Sequence, residues 1–246
     1  MSGGANPRGA AGEQEAARWV RGMFARVAHR YDTANHLLSF NADRYWRRRT
    51  VRAVEAVLRR PEARVLDLCC GTGDLAMALD ARRGAPVFGS DFCHPMLTAA
   101  RAKAGKRRLA ARWFEADALQ LPVADGSFDL VTVAFGFRNL ANYQRGLEEM
   151  RRVLRPGGVA AILEFSQPPN PVFRAFYDWY SLRILPAVGG MLSGARDAYT
   201  YLPDSVRQFP GADELARRME ASGFGNVRYE RLTFGIVALH LGDVTG

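Results

Sequence analysis

The chain has 246 residues, 48% of them hydrophobic and 24% charged, which is enough apolar content for a substantial core and excludes a chain disordered throughout. No apolar run approaches the roughly 18 residues of a membrane-spanning helix, and the opening MSGGANPRGAAG lacks the apolar stretch of a secretory signal, so a soluble, cytoplasmic protein is expected. The net charge of +9 sits mainly at one end: residues 1–60 carry twelve Arg against five acids, residues 61–160 fourteen basic against eleven acidic, and residues 161–246 eight against nine. Such an N-terminal field attracts an anionic partner, nucleic acid or the phospholipid headgroups of a membrane face. Only Lys103 and Lys106 are lysines, so coding bias is a second source of the charge.

Residues 1–14 are rich in Gly, Ala and Pro and read as a disordered tail ahead of a single domain over 15–246, whose first part, 15–60, is a helical lid. Within it, Tyr45, Trp46, Val51, Val54, Val57 and Leu58 recur at spacings of three and four among arginines, predicting an amphipathic helix over 43–60 that Pro61 closes. The rhythm then changes. RVLDLCC (64–70) reads as a strand, 71–83 as a glycine-rich turn and helix, 86–91 as a strand, 95–104 as a helix, and 112–116 and 128–135 as strands. A helix over 143–154 and, after the Pro156-Gly157-Gly158 turn, a strand over 158–165 follow. Strands alternating with helices imply right-handed βαβ units and a parallel sheet. Residues 166–210, rich in aromatics and proline, read as an insertion on the substrate side, before a helix over 212–222. The final strands, 226–232 and 234–241, are joined too closely to be anything but antiparallel.

The chemistry concentrates at three predicted strand ends. VLDLCCGTGD (65–74) brings Asp67, Gly71, Thr72 and Gly73 into a tight turn whose following helix aims its N-terminal amides at a ligand. Asp91 ends the next strand 20 residues after Gly71, where a carboxylate can accept both hydroxyls of a ribose. FEADALQLP (114–122) offers Asp117 and the Ala118 amide to an adenine; the plainer reading of Asp117 is a turn cap. Cys69, Cys70 and Cys93 lack zinc-ligand spacing and are expected as reduced, buried thiols, and His240, between two leucines, as a core residue.

The order DLCCGTGD, Asp91, ADA, FDLV and RVLRPGG resembles the class I S-adenosylmethionine-dependent methyltransferases. FARVAHRYDTAN (24–35), FGFRN (135–139), RRVLRPGGVAAILEFS (151–166) and YTYLPDSVRQFP (199–210) narrow the resemblance to the ubiquinone/menaquinone biosynthesis C-methyltransferase family, over roughly residues 22–242. That resemblance implies a Rossmann-like α/β fold, a mostly parallel seven-stranded sheet with an antiparallel last strand. It implies S-adenosylmethionine as cofactor, contacted by Thr72, Asp91, Asp117 and Ala118, and methylation of a ring carbon of a prenylated quinol in menaquinone or ubiquinone biosynthesis. The chain departs from the family at Ala34, Asn41 and Asp43, where a Met, a Gly and a His are usual, and at Ala134, where many members have Ser.

The reaction requires an electron-rich carbon held in line with a methyl group and demands no metal. A cation or base near the quinol oxygen would help. Arg138, just beyond the fourth predicted strand, is the first catalytic candidate, with its charge expected to face the ligand cleft; the rival reading pairs it with Glu164. Tyr31 and Asn35 join it as catalytic candidates, with Asp32, Glu164 and Tyr201 behind them. The 43–60 helix is expected to collect its quinol at the membrane surface through its arginines and the Tyr45/Trp46 pair; homodimerisation stays open. The competing readings are another methyltransferase, an NAD-dependent oxidoreductase and a nucleic-acid-binding protein. No recognition-helix pattern supports the last, and no nucleic-acid partner is expected.

Overall fold

The structure, a computed structural model, describes residues 3–7, 9–29, 31–184 and 196–245. Seven strands form one sheet in the order β3-β2-β1-β4-β5-β7-β6. They are β1 Val65–Leu68, β2 Phe88–Asp91, β3 Arg112–Glu115, β4 Phe128–Ala134, β5 Leu154–Phe165, β6 Gly225–Leu232 and β7 Val237–Asp243. β1 to β5 pair in parallel, and β7 runs antiparallel to both β5 and β6. One strand alone therefore opposes the sheet, as expected. β5 starts four residues earlier than predicted, because Leu154 already pairs with Phe128 ahead of an irregularity in the ladder.

The period-two alternation of the strands explains the layering. Leu66, Val131 and Ile162 face one side with Leu147 and Met150 of α7 (Tyr143–Val153) and Leu215 and Met219 of α10 (Ala212–Ala221). Val65, Leu130 and Ala161 face the other with Val51 of α3 (Ala42–Ala53), Val57 of α4 (Glu55–Leu58) and Leu75 and Leu79 of α5 (Asp74–Arg83). The single helix expected over 43–60 is thus two, broken at Val54, and Trp46 is buried. Helix α6 (His94–Lys106) follows β2.

N-terminal to the sheet, α1 (Glu13–Val27) and α2 (Tyr31–Leu38) lie toward the C-terminal ends of β1 to β4. Within the stretch 1–14 expected as a disordered tail, described residues are held: the Ala5 amide donates to the Leu140 carbonyl at 2.7 Å, Tyr143 donates to Gly3 at 2.9 Å, and Ala5 is buried. A Cβ on Gly4 would lie 1.9 Å from the Ala141 carbonyl oxygen, so glycine is what lets this strap lie flat. Within the predicted insertion, α8 (Pro171–Trp179) continues into a π-helical turn at Tyr180–Ile184, and α9 (Arg196–Gln208) leads back to the sheet. The rest of that insertion, 185–195, lies outside the described residues.

Candidate active site

The sheet order reverses between β1 and β4, and ligands of open α/β sheets bind outside the carboxyl ends of the strands at such a point. A cleft lies there, lined by the tips of β1 to β4 and by Ala17, Phe24, Tyr31 and Arg47 of the N-terminal helices. Its backbone is strained at two non-glycine positions, Cys69 (φ +52°) and Phe135 (φ +60°), which end β1 and β4. Between them Gly136 comes so close that a Cβ would sit 2.4 Å from that of Cys69. The two predicted turn glycines differ in role. A Cβ on Gly71 would meet nothing within 4 Å, which leaves open space at that turn of the cleft, whereas one on Gly73 would strike the Trp113 ring at 2.4 Å. Gly73 does not line the cleft, and its conformation is what the Trp113 ring leaves room for.

Asp91 is buried, and its carboxylate closes the turn: Oδ2 accepts from the Gly71 amide at 2.8 Å and Oδ1 from Cys93 at 2.9 Å. Burial pushes its pKa up against those amides, and each oxygen retains a lone pair for a ribose hydroxyl. Asp117 accepts the Leu119 amide at 2.9 Å, so it does cap a turn, yet it is exposed and lines the cleft with Ala118. Asp67 is buried behind the turn, accepting from Ala76 N at 3.0 Å and Thr132 Oγ1 at 2.7 Å; burial raises its pKa to about 7. The hydroxyl of Thr72 is turned to the N-terminal helices, donating to Asp32 at 2.5 Å and accepting from Lys103 at 3.1 Å. Lys103, which sequence reasoning passed over, also reaches Asp32 and Asp74 at 2.6 Å each and ties α2 to α5 from α6. Cys69 and Cys70 are half-buried in the cleft rather than fully buried, and burial holds both thiols protonated.

In a chain of net charge +9, the described residues of the cleft wall include the acids Asp67, Asp74, Asp91 and Asp117 and, among those described, one cation, Arg47. That lining fits S-adenosylmethionine, which carries a sulfonium and an ammonium. It opposes a dinucleotide, whose phosphates would face the same carboxylates.

A second, mainly apolar cavity adjoins the first and shares Phe24, Tyr31, Arg47 and Phe135 with it. Its wall adds Trp46, Phe165, Phe173, Phe176, Tyr177 and Tyr201. Tyr31 stands at the junction, hydrogen-bonded to Asn35; burial raises its pKa against Arg138 and Arg47, so the phenol stays protonated. Arg138 lines this second cavity, though not as a free charge, because the rival reading, a pair with Glu164, describes its contacts. It is buried, with Nη1 donating to Glu164 at 3.0 Å and to the Phe135 carbonyl at 2.6 Å, Nε to Ser205 at 3.2 Å, and its backbone amide to Glu164 at 3.1 Å. Burial would lower its pKa, but Glu164 more than offsets this.

The one carboxylate on the second cavity's described wall is Asp43, where the family's usual residue is His. Its Oδ2 bonds His36 Nδ1 at 2.7 Å and its Oδ1 accepts from Ser39 at 2.8 Å, while Arg47 pairs with it one helical turn on. Burial would raise the Asp43 pKa, but Arg47, Ser39 and His36 together hold it below the usual carboxylate value. Sequence reasoning missed this pair, although a histidine seven residues before the departing position was a legible signal.

This fold, with an acidic cleft at the strand-order reversal and a carboxylate at the tip of β2, defines a class I S-adenosylmethionine-dependent methyltransferase. The chain belongs to the ubiE/COQ5 methyltransferase family, whose model matches residues 10–243. It is 53% identical to a demethylmenaquinone methyltransferase of Thermus thermophilus over 90% of this chain and 99% of that one. It is 41% identical to a ubiquinone/menaquinone biosynthesis C-methyltransferase of Paracoccus denitrificans, over 94% and 92%. In fold alone it is similar to an S-adenosylmethionine-dependent methyltransferase from Thermotoga maritima, with TM-score 0.62, 18% identity and coverage of 90% and 98%.

Proposed function

We propose that the enzyme methylates a ring carbon of a demethylated prenyl quinol, demethylmenaquinol first, at a membrane surface. The observation that carries this reading is the apolar aromatic cavity sharing a wall with the acidic cleft, which suits a flat, uncharged ring beside a cationic methyl donor. Bound S-adenosylmethionine supplies an electrophilic methyl group on sulfur. Asp91 and Asp117 hold the nucleoside, and Tyr31, between the cavities, orients the ring. Asp43 accepts the quinol hydroxyl, and the Asp43–His36 pair carries its proton toward solvent, where 23% of the His36 side chain is exposed. Methyl transfer to the ring carbon would leave the carbon–sulfur electron pair on the donor's sulfur, and the carbon would lose its own hydrogen as a proton while the ring oxygen regains one, so that a single proton is released net. Arg138 and Glu164 shape the cavity wall as a neutral pair.

Among the described residues no helix is long and apolar enough to cross a membrane. Surface association is therefore the proposed route to a lipid-borne substrate. It rests on the basic N-terminal quarter, with Tyr45 half exposed but Trp46 buried and donating to Thr233 at 2.7 Å. The test is product analysis with S-adenosylmethionine and either demethylmenaquinol or the demethylated ubiquinone precursor. Methylated quinol formed one-for-one with S-adenosylhomocysteine is expected; turnover of neither quinol overturns the reading. Sedimentation with anionic vesicles should be salt-sensitive.

A further inference from the structure

Helix α8 carries Val172, Phe173, Phe176 and Trp179, yet buries none of them: Val172 is 78% exposed, Phe176 60% and Trp179 55%. Beside it, Phe234 caps the turn between β6 and β7 at φ +56°, a conformation non-glycine residues rarely adopt, and is 78% exposed. The turn is held in place from both sides. Thr233 takes the Trp46 indole N–H, and Gly235 (φ +88°) lies where a Cβ would come 2.7 Å from Pro169, so glycine lets it close on the chain leading into α8. Asn170 caps α8 by accepting the Val172 and Phe173 amides at 3.0 Å each.

These elements border a groove of Pro169, Val172, Phe173, Phe176 and Phe234 whose one charged wall residue among those described, Arg231, pairs with Asp213 at 2.9 Å. Phe173 and Phe176 belong to the groove and to the second cavity alike, and the Phe173 ring lies 5.2 Å from that of Phe234. Phe173 and Phe176 therefore stand where the cavity and the surface groove adjoin, and the groove's apolar walls call for a hydrocarbon.

We propose that the groove binds the isoprenoid tail of the quinol, which leaves the cavity past Phe173 and Phe176 and runs over Phe234 to the surface. The inference rests on the quinol reading above and adds the path of the tail. An extended chain on aromatic walls gains contact with every isoprene unit, so discrimination between tail lengths should reside here and not at the ring.

Steady-state kinetics in detergent micelles, without bilayers, test this with two quinols of identical ring, one bearing a single isoprene unit and one a long tail. Val172→Ser and Phe234→Ser change exposed side chains outside the ring cavity. Combined, they should raise KM for the long-tailed quinol about tenfold and leave kcat, and the kinetics of the short-tailed quinol, unaltered. Equal changes for both substrates, or none for either, overturn the proposal. Tail selectivity seen only with vesicles, and lost in parallel with vesicle binding, would make the surface a bilayer contact and overturn it too. If the parent enzyme methylates neither quinol, the functional reading fails instead, a result plain before any variant is made.

Discussion

Arg138 Nη1 and Glu164 Oε1 meet at 3.0 Å, with both side chains buried, and this pair joins the end of β4 to the end of β5 beneath the second cavity. Glu164 binds the Arg138 backbone amide with its other oxygen, so removing its charge strands a buried guanidinium and loosens the turn after β4 together. Breaking a buried pair from one side typically costs about 3 kcal/mol or more. Glu164→Gln should therefore lower the melting temperature markedly. Arg138→Lys, which loses the planar fork reaching Phe135, Ser205 and Glu164 at once, should lose activity in step with stability. Thermal denaturation of both variants beside turnover checks this; full stability with abolished turnover in Arg138→Lys would return the guanidinium to a transition-state role.

The proposed hold of Asp91 on the cofactor is open to a direct test. Asp91→Asn keeps the shape of the carboxylate but removes its charge, so hydrogen bonds worth about 1.5–3 kcal/mol to a charged acceptor become ordinary ones. S-adenosylmethionine should bind at least about tenfold more weakly. Calorimetric titration measures it, and unchanged affinity would remove Asp91 from the cofactor's contacts.

These two residues also mark how far the sequence could be read. Asp91 was legible because the constraint is local: a strand end, a glycine turn and a fixed spacing determine where its carboxylate sits. The direction of the Arg138 side chain was not legible, because it depends on Glu164 of a neighbouring strand and Ser205 of a distant helix, contacts that no spacing encodes. Gly73 shows the same limit. Its place in the motif suggested a ligand, whereas the constraint comes from Trp113, 40 residues on and two strands away in the sheet. The tie of Lys103 to Asp32, Thr72 and Asp74 likewise joins three segments that approach only once the fold has closed.

Asp43 is the test of the proposed chemistry. General-base assistance contributes roughly 10²–10⁴-fold, so Asp43→Asn, which retains the shape but cannot take the proton, should lower kcat by about 10²-fold or more. Cofactor affinity should change little, since Asp43 lies on the second cavity's wall and not on the first. Stopped-flow single turnovers separate chemistry from binding; a variant with normal single-turnover rates would leave the quinol hydroxyl without this acceptor.

Two buried groups should impose opposite pH dependences on stability. His240 donates through Nε2 to the Ala212 carbonyl at 2.8 Å while Nδ1 has no partner among the described residues, and burial lowers its pKa from 6.5 to about 4. As pH falls from 6.5 toward 4, the unfolded chain takes up a proton that the native state refuses, so this residue costs stability progressively, by at most about 3 kcal/mol. Asp67 runs the other way. Its pKa is raised from 3.8 to about 7, so the native state holds the extra proton between those values, and stability contributed by Asp67 rises as pH falls through the same window. The two slopes oppose each other in the parent protein. His240→Gln, which keeps a donor for Ala212, should leave Asp67 acting alone and become relatively more stable toward pH 4. Asp67→Asn, which can still accept from Ala76 while the Thr132 hydroxyl turns, should become relatively less stable as the pH falls. Urea denaturation at intervals between pH 4.5 and pH 7.5, expressed as the difference from the parent at each pH, isolates the two contributions; a flat difference curve for either variant would show that its side chain does not titrate as burial requires.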